Sequence, residues 1–237
     1  MGRAFEFRKG RKLKRWGKMA VTFTRIGKEI AMAVKEGGPD PANNSRLRMA
    51  IQNAKSENMP KDRVEAAIKR ASDKDSSNYD EVLYEGKGPY GVGMMIETAT
   101  DNINRTVADI RAVFRKKGGE LGTSGSQEFG FERKCIFKIE LHDRDMEELE
   151  LELIDFGLEE LEQVEDETLI TTDFTDFGNM QKGLESLGIE IVSVDKERIP
   201  LNTVELKGEQ SEEVNILIEA LEEVDDVQNV FHNAILE

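Results

Sequence analysis

The chain has 237 residues, of which 38% are hydrophobic, and its formal net charge is -15. This length and apolar content predict two or three small globular domains. The single cysteine, Cys135, excludes an internal disulfide, and no run of about 18 apolar residues suggests a membrane span. With no recognisable signal peptide, these features predict a cytoplasmic protein that does not engage a membrane.

Charge is divided along the chain rather than mixed. Residues 1–71 hold 18 Lys and Arg against 7 Asp and Glu, a charge of +11, whereas the remaining residues hold 15 against 41, a charge of -26. A polyanion would be attracted to the first part and repelled by the second. The acidic part is interpreted as a solvated surface, and the alternative is a site for a basic partner such as a ribosomal protein surface.

The first 20 residues, which we call the basic arm, carry the densest positive charge. Gly2–Lys18 contains eight Lys or Arg and a single acid, Glu6, with Phe5, Phe7 and Trp16 between the cations. Such a segment offers phosphate contacts and rings on which a base can stack, and the alternative is a soluble, disordered tail. The predicted nucleic-acid contacts in the arm are Arg8, Lys9, Arg11, Lys12, Lys14, Arg15 and Lys18, with Trp16 stacking on a base or anchoring the arm to the protein.

Residues 21–74 show helical periodicity and predict a small bundle. Apolar residues recur at spacings of three and four in three stretches, separated by Gly37-Gly38-Pro39 and by a turn before Pro60. Each stretch is too short to be stable alone, so the three helices must bury their apolar faces against one another. Four cations of this bundle are second-tier candidates for phosphate contact: Arg46, Arg48, Lys55 and Arg70.

The polar linker after the bundle leads to a predicted α/β domain. Val92–Thr100 reads as a strand, the next segment as a helix with Ile103 and Phe114 on its apolar face, and Glu128–Glu132 as another strand. The helix start follows a strand end, where backbone donors favour an anion and Arg105 could add a phosphate contact. The alternative is that Asp101 or Asn102 only caps the helix.

A second unit interrupts the first. Residues 135–198 show the order βαββαβ, including a hairpin with arms near 160–164 and 168–172. The interrupted unit resumes with a strand at Ile199–Thr203, a helix and a closing strand at Val227–His232. The prediction is therefore an α+β protein: a three-helix domain followed by two βαββαβ, ferredoxin-like domains, with residues 135–198 inserted into a domain formed by 80–134 and 199–237.

Residues suited to catalysis are isolated in the sequence. His142 and His232 lie far from each other and from other nucleophiles, and Cys135 begins a strand with only Lys134 nearby to favour a thiolate. No spacing of Cys, His or carboxylates matches a metal site. The expectation is a protein that is not an enzyme and needs no metal or cofactor.

Three long stretches resemble the YebC family in the same order along the chain: GGPDPANNSRLRMAIQNAKSENMPKDRVEAAIKRA, YEGKGPYGVGMMIETATDNINRTVADIRAVFRKKGGELGTSGS, and IPLNTVEL with LEEVDDVQNVFHN. The resemblance implies a helical domain followed by two α/β domains. Family members are described as probable transcriptional regulators that bind DNA, a mitochondrial relative is a translational activator for a cytochrome oxidase subunit, and some bacterial members are linked to ribosomes stalled on proline-rich sequences. The family offers no established catalytic residues. The start of this chain departs from the commonest pattern, GHSKWANIKHRK, but keeps its basic character and a tryptophan.

The prediction from the whole sequence is a monomeric, non-enzymatic, nucleic-acid-binding regulator of gene expression. The alternative is a translational activator that associates with RNA and the ribosome and helps synthesis of proline-rich sequences. Both DNA and RNA, including ribosomal or transfer RNA, remain open as ligands, because there is no recognition-helix signature and a basic arm with stacking rings suits RNA at least as well as duplex DNA.

Overall fold

The computed structural model describes residues 19–73, 78–142 and 144–237. The candidates of the basic arm, Arg8 to Lys18, lie outside the described residues. Within the described ranges, a helical domain is followed by two α/β domains, the second inserted into the first. No helix in these ranges combines the length and apolar character needed to cross a membrane.

The helical domain consists of α1 (Met19–Gly37), α2 (Ser45–Ser56) and α3 (Lys61–Ser72), which confirms the three predicted helices. Asn44 fixes the turn between α1 and α2. Its side-chain oxygen accepts from the Leu47 amide at 3.0 Å, and its side-chain nitrogen donates to the Ala33 carbonyl at 2.7 Å. Ile30, Leu47 and Ala54 are fully buried in the core shared by the three helices.

The first α/β domain is built on a four-stranded antiparallel sheet. Its elements are β1 (Asp80–Lys87), β2 (Gly93–Thr100), α4 (Ile103–Lys116), β3 (Glu120–Leu121) and, after the insertion, β8 (Val204–Leu206), α7 (Glu209–Glu222), β9 (Val227–His232) and β10 (Ala234–Leu236). The strand order in the sheet is β3-β1-β2-β9. The two helices cover one face of this sheet and bury Ile96, Phe114 and Leu217. β8 and β10 form a separate parallel pair.

The inserted domain has the predicted βαββαβ order. Its elements are β4 (Phe131–Ile139), α5 (Met146–Leu153), β5 (Leu158–Val164), β6 (Glu167–Asp173), α6 (Phe177–Ser186) and β7 (Ile191–Pro200). The antiparallel sheet has the order β5-β6-β4-β7, and Phe131 at the start of β4 pairs with Pro200 at the end of β7. The chain therefore enters and leaves the domain at neighbouring points, as an insertion requires.

Two strands predicted for the first α/β domain are wrong. Residues 128–130 form a short 3-10 turn, and β4 of the inserted sheet begins immediately afterwards. The buried carboxylate of Glu85 holds this turn and the loop before it. It accepts from the amides of Gly125 at 2.7 Å and Glu128 at 3.2 Å. Similarly, Ile199 belongs to β7, and the strand that follows the insertion is β8.

The sheet of the first α/β domain contains β1 in place of the strand predicted at residues 128–132. The apolar periodicity of the sequence did not predict β1. β1 lies between β3 and β2, the position that β6 holds in the inserted sheet. Its sequence, DEVLYEGK, begins with two acids and contains a glycine, so it lacks the alternation of a typical strand. The glycine has a packing reason, because a Cβ at Gly86 would lie 2.5 Å from Cζ of Phe114.

The helical domain contacts both α/β domains. The Arg25 guanidinium of α1 donates to the Glu222 carbonyl at 2.9 Å, which joins the bundle to the first α/β domain. α2 lies along β7 at the edge of the inserted sheet. The Asn53 side chain donates to the Val194 carbonyl at 2.8 Å and accepts from the Val194 amide at 2.9 Å, so that it pairs with the strand as a neighbouring strand would.

Replacement of Asn53 by alanine is expected to destabilise the protein by about 1–3 kcal/mol, because the Val194 amide and carbonyl lose their partners in a partly buried contact. Urea unfolding measures the difference. Ser56→Ala, which removes an exposed hydrogen bond on the same helix, serves as the control and should change stability by less than about 0.5 kcal/mol. Equal midpoints for the two variants would show that this contact contributes no stability.

Candidate nucleic-acid interface

α3 presents several cations to solvent. Val64 and Ala71 are buried, whereas the Lys61 side chain is 90% exposed and Lys69 and Arg70 are exposed. The Lys61 ammonium lies 3.7 Å from Glu65 in an exposed pair that contributes little. Residues 19–73 hold 10 Lys and Arg against 7 Asp and Glu, so the bundle adds a charge of +3 to the +7 of residues 1–18.

Arg46 and Arg48 are occupied by contacts within the protein. The Arg46 guanidinium forms ion pairs with Glu36 at 2.7 Å and with Glu81 of β1. Burial alone would lower the pKa of Arg46, but its bonds to these two carboxylates outweigh burial and raise the pKa. Arg48 donates to the Pro41 carbonyl at 2.8 Å and lies 3.3 Å from Glu185 of the inserted domain. Their predicted phosphate contacts stay predictions, and a phosphate would have to displace these partners.

Lys55 and Arg70 are more accessible to a phosphate than Arg46 and Arg48 are. The Lys55 side chain is 82% exposed, and its ammonium lies 3.8 Å from Glu190 at the boundary with the inserted domain. Arg70 is exposed near the end of α3. Lys55 lies on α2 and Arg70 lies on α3.

Arg105 belongs to a partly buried network around Asp226. Its guanidinium donates to Asp226 at 2.7 Å and to Asp101 at 2.8 Å, while Asn102 caps α4 as the alternative interpretation predicted. The same Asp226 carboxylate accepts from the Lys28 ammonium at 2.9 Å and from the Thr106 hydroxyl at 2.7 Å. The anions that Arg105 contacts at this helix start are thus the side chains of Asp226 and Asp101. A phosphate contact by Arg105 stays a prediction.

The network has a clear electrostatic signature. Burial alone would raise the pKa of Asp226, but hydrogen bonds from Arg105, Lys28 and Thr106 outweigh it and hold the pKa well below the usual range. The hydrogen bonds to Asp226 and Asp101 raise the pKa of Arg105. The Lys28 ammonium also donates to the Ala99 and Asp225 carbonyls, so its three contacts dock α1 on the first α/β domain.

The inserted domain carries a large share of the negative charge. Residues 131–200 hold 7 Lys and Arg against 21 Asp and Glu, a charge of -14. On the edge strand β5, burial and then a hydrogen bond with Glu162 raise the pKa of Glu160. This charge would repel a polyanion from this side of the protein.

The residues considered for catalysis do not form a catalytic arrangement in the described ranges. Cys135 is buried, and burial raises the pKa of its thiol to about 11, which leaves it protonated and unreactive at neutral pH. Among the described residues, Glu140, His142 and Glu190 form the one group with ligand atoms close enough to hold a metal ion, and all three are exposed. The Lys55 ammonium lies next to Glu190 and would oppose a cation there.

Comparison with known proteins covers nearly the whole chain. Residues 3–74 match the family described as "TACO1/YebC protein N-terminal domain", and residues 79–234 match "TACO1/YebC second and third domain". A protein of Flavobacterium johnsoniae is 61% identical over 98% of both chains, and one of Porphyromonas gingivalis is 57% identical over 98% of this chain and 97% of its own; each is named "Probable transcriptional regulatory protein".

The fold has a counterpart among solved structures. The crystal structure of a conserved hypothetical protein from Aquifex aeolicus is 37% identical, has a TM-score of 0.76, and covers 93% of this chain and 91% of its own. The matches include the helical domain as well as both α/β domains, in the same order as the three motif stretches of the sequence. The chain therefore belongs to the YebC family.

Proposed function

We propose that this protein is a non-enzymatic, nucleic-acid-binding regulator of gene expression. The observation that carries the proposal is the separation of charge, +11 on residues 1–71 and -26 on the remainder. It is supported by the exposed cations of α3, which add positive charge on the helical domain to that of the arm sequence, and by the relatives named "Probable transcriptional regulatory protein".

Binding follows from electrostatics in this proposal. The basic arm and α3 attract the phosphate backbone, and the charge of -14 on the inserted domain repels it, so the polyanion approaches the helical domain. Phosphate contacts fix the position of the protein on the nucleic acid. Trp16, between the cations of the arm, adds stacking on an exposed base.

A second candidate function is translational activation on the ribosome, in which the cytoplasmic protein acts as a monomer on ribosomal or transfer RNA and helps synthesis of proline-rich sequences. Two observations favour it. Phe5, Phe7 and Trp16 lie between the arm cations, a composition that suits unpaired bases. The strongly acidic inserted domain also provides a surface complementary to basic ribosomal proteins.

Crosslinking of the tagged full-length protein in cells, followed by sequencing of both the DNA and the RNA recovered, tests these proposals. Enrichment at discrete promoters supports a transcriptional regulator. Enrichment of ribosomal or transfer RNA supports the translational role. Recovery of neither nucleic acid above the level of an untagged strain would overturn both.

A further inference from the structure

The end of α4 and a neighbouring turn form an open hollow in the first α/β domain. The hollow has a volume of about 510 Å³ and lies between the turn at residues 88–91, the end of α4 and one face of α7. Its lining combines apolar and aromatic groups with one cation and one acid. Its lining residues are Pro89, Tyr90, Lys117, Gly118, Glu213 and Ile216.

Tyr90 is held in the hollow at the expense of backbone strain. Its φ of 61° is in the left-handed region, which is unfavourable for a bulky side chain. Its hydroxyl donates to the Glu213 carboxylate at 2.7 Å, and this bond, followed by burial, raises the pKa of Tyr90. The residue nevertheless remains 45% exposed, and Ile216 beside it is 40% exposed. A ring that is fixed in place but open to solvent, on a strained turn, indicates a binding role.

The helix that leads to Lys117 of the hollow is rich in cations, in an otherwise acidic part of the chain. Residues 103–117 hold five Lys or Arg and one acid, Asp109. Arg111, Arg115 and Lys116 are exposed, and within the described residues none of them forms an ion pair. They differ in this respect from Arg46, Arg48 and Arg105, which are held by carboxylates.

Helix-end electrostatics explains only part of this abundance of cations. Arg115 and Lys116 lie in the last turn of α4, where cations favour the negative end of the helix dipole. Arg111 lies one turn earlier on the same face as Arg115, beyond the reach of that effect. The dipole also gives no reason for an exposed aromatic ring next to the helix end.

We propose that Tyr90 and the cations at the end of α4 form a second contact for nucleic acid, one that receives an unpaired base. The base stacks on the Tyr90 ring beside Pro89 and Ile216, and Lys117 and its neighbours hold the flanking phosphates. Because α7 bears Glu209, Glu212 and Glu213, the phosphates lie on the α4 side of the hollow. This inference rests on the proposed nucleic-acid binding and specifies its substrate as a strand with an unpaired base, since bases within a duplex are already stacked.

The test uses the full chain and a short single-stranded RNA that carries 2-aminopurine, a fluorescent base quenched by stacking. Tyr90→Ala should weaken binding roughly tenfold and reduce the quenching, whereas Tyr90→Phe should retain both because the ring remains. Replacing Arg115 and Lys116 by alanine together should reduce the log-log salt slope by about 0.7 for each phosphate that the protein no longer binds. Lys182→Ala, which removes an exposed cation from α6, is the matched control and should have no effect.

A further variant separates binding from folding. Tyr90→Gly removes the ring but relieves the left-handed strain, so the protein should remain folded while binding is weakened as in Tyr90→Ala. If Tyr90→Ala and Tyr90→Gly bind the RNA as tightly as the unaltered chain does, the second contact is wrong and the proposed function stands. If the unaltered chain binds neither this RNA nor duplex DNA, the proposed function fails and the second contact with it.

Discussion

Removing residues 2–18 is expected to weaken nucleic-acid binding strongly and to flatten its salt dependence. The segment carries eight of the 33 Lys and Arg and one of the 48 Asp and Glu, so its loss changes the net charge from -15 to -22. Each phosphate that the shortened protein no longer binds should reduce the slope of log affinity against log salt by about 0.7 for single strands and 0.9 for duplex DNA. Titration of labelled RNA and DNA at several salt concentrations measures both quantities.

Two variants divide the effect between charge and stacking. Replacing the seven candidate cations of the arm by glutamine, with Trp16 kept, should reproduce the change in slope. Trp16→Ala should weaken binding with little change in slope, since stacking on a base releases no counterions. Unchanged affinity and slope after removal of residues 2–18 would show that the arm does not bind nucleic acid.

Replacement of Asp226 by alanine should lower the free energy of unfolding by about 3–5 kcal/mol, because it leaves the buried Lys28 ammonium without its carboxylate partner. The Asp226 side chain is only 6% exposed, and it also accepts from the Arg105 guanidinium and the Thr106 hydroxyl. Urea unfolding at neutral pH measures the loss. Asp101→Ala removes the exposed carboxylate paired with the same arginine and should cost less than about 1 kcal/mol.

The same carboxylate should make stability depend on pH in acid. The pKa of Asp226 in the folded state lies well below the value of about 3.9 expected in the unfolded chain. Between these two values the unfolded state binds more protons, so the contribution of Asp226 is complete above about pH 4 and is lost as the pH falls further. The side chain of Asp226→Asn cannot titrate. The difference in the free energy of unfolding between this variant and the unaltered chain should therefore shrink as the pH falls below about 4. A difference in the free energy of unfolding between the two proteins that stays constant from about pH 6 to about pH 2 would contradict this assignment.

The sequence was most informative where one periodicity extended over a whole element. The apolar spacings of α1, α2 and α3, and the hairpin of β5 and β6, predicted these elements close to their observed bounds. Prediction failed for β1 and for residues 128–130, where structure depends on distant partners. Gly86 is required by contact with Phe114, and the turn at residues 128–130 is held by Glu85, 43 residues from Glu128 along the chain.

The candidate site shows the same division. The charge of each part of the chain can be counted from the sequence, but whether a cation is available depends on which carboxylates fold next to it. Arg105 and Arg115 lie on one helix, yet the first is held by Asp226, 121 residues away, whereas the second is exposed. Tyr90 gave no signal in the sequence, because its significance depends on a backbone angle and on the end of α4 nearby.

The contact between α2 and β7 also bears on how the protein behaves when it is divided. β7 is an edge strand, and Asn53 and Gln52 satisfy the Val194 and Ile191 backbone groups along it. A fragment that contains only the α/β domains would present these groups to other molecules, which is the condition for edge-to-edge association between copies. A fragment without the helical domain is therefore expected to self-associate more readily than the full chain, in which α2 covers this edge.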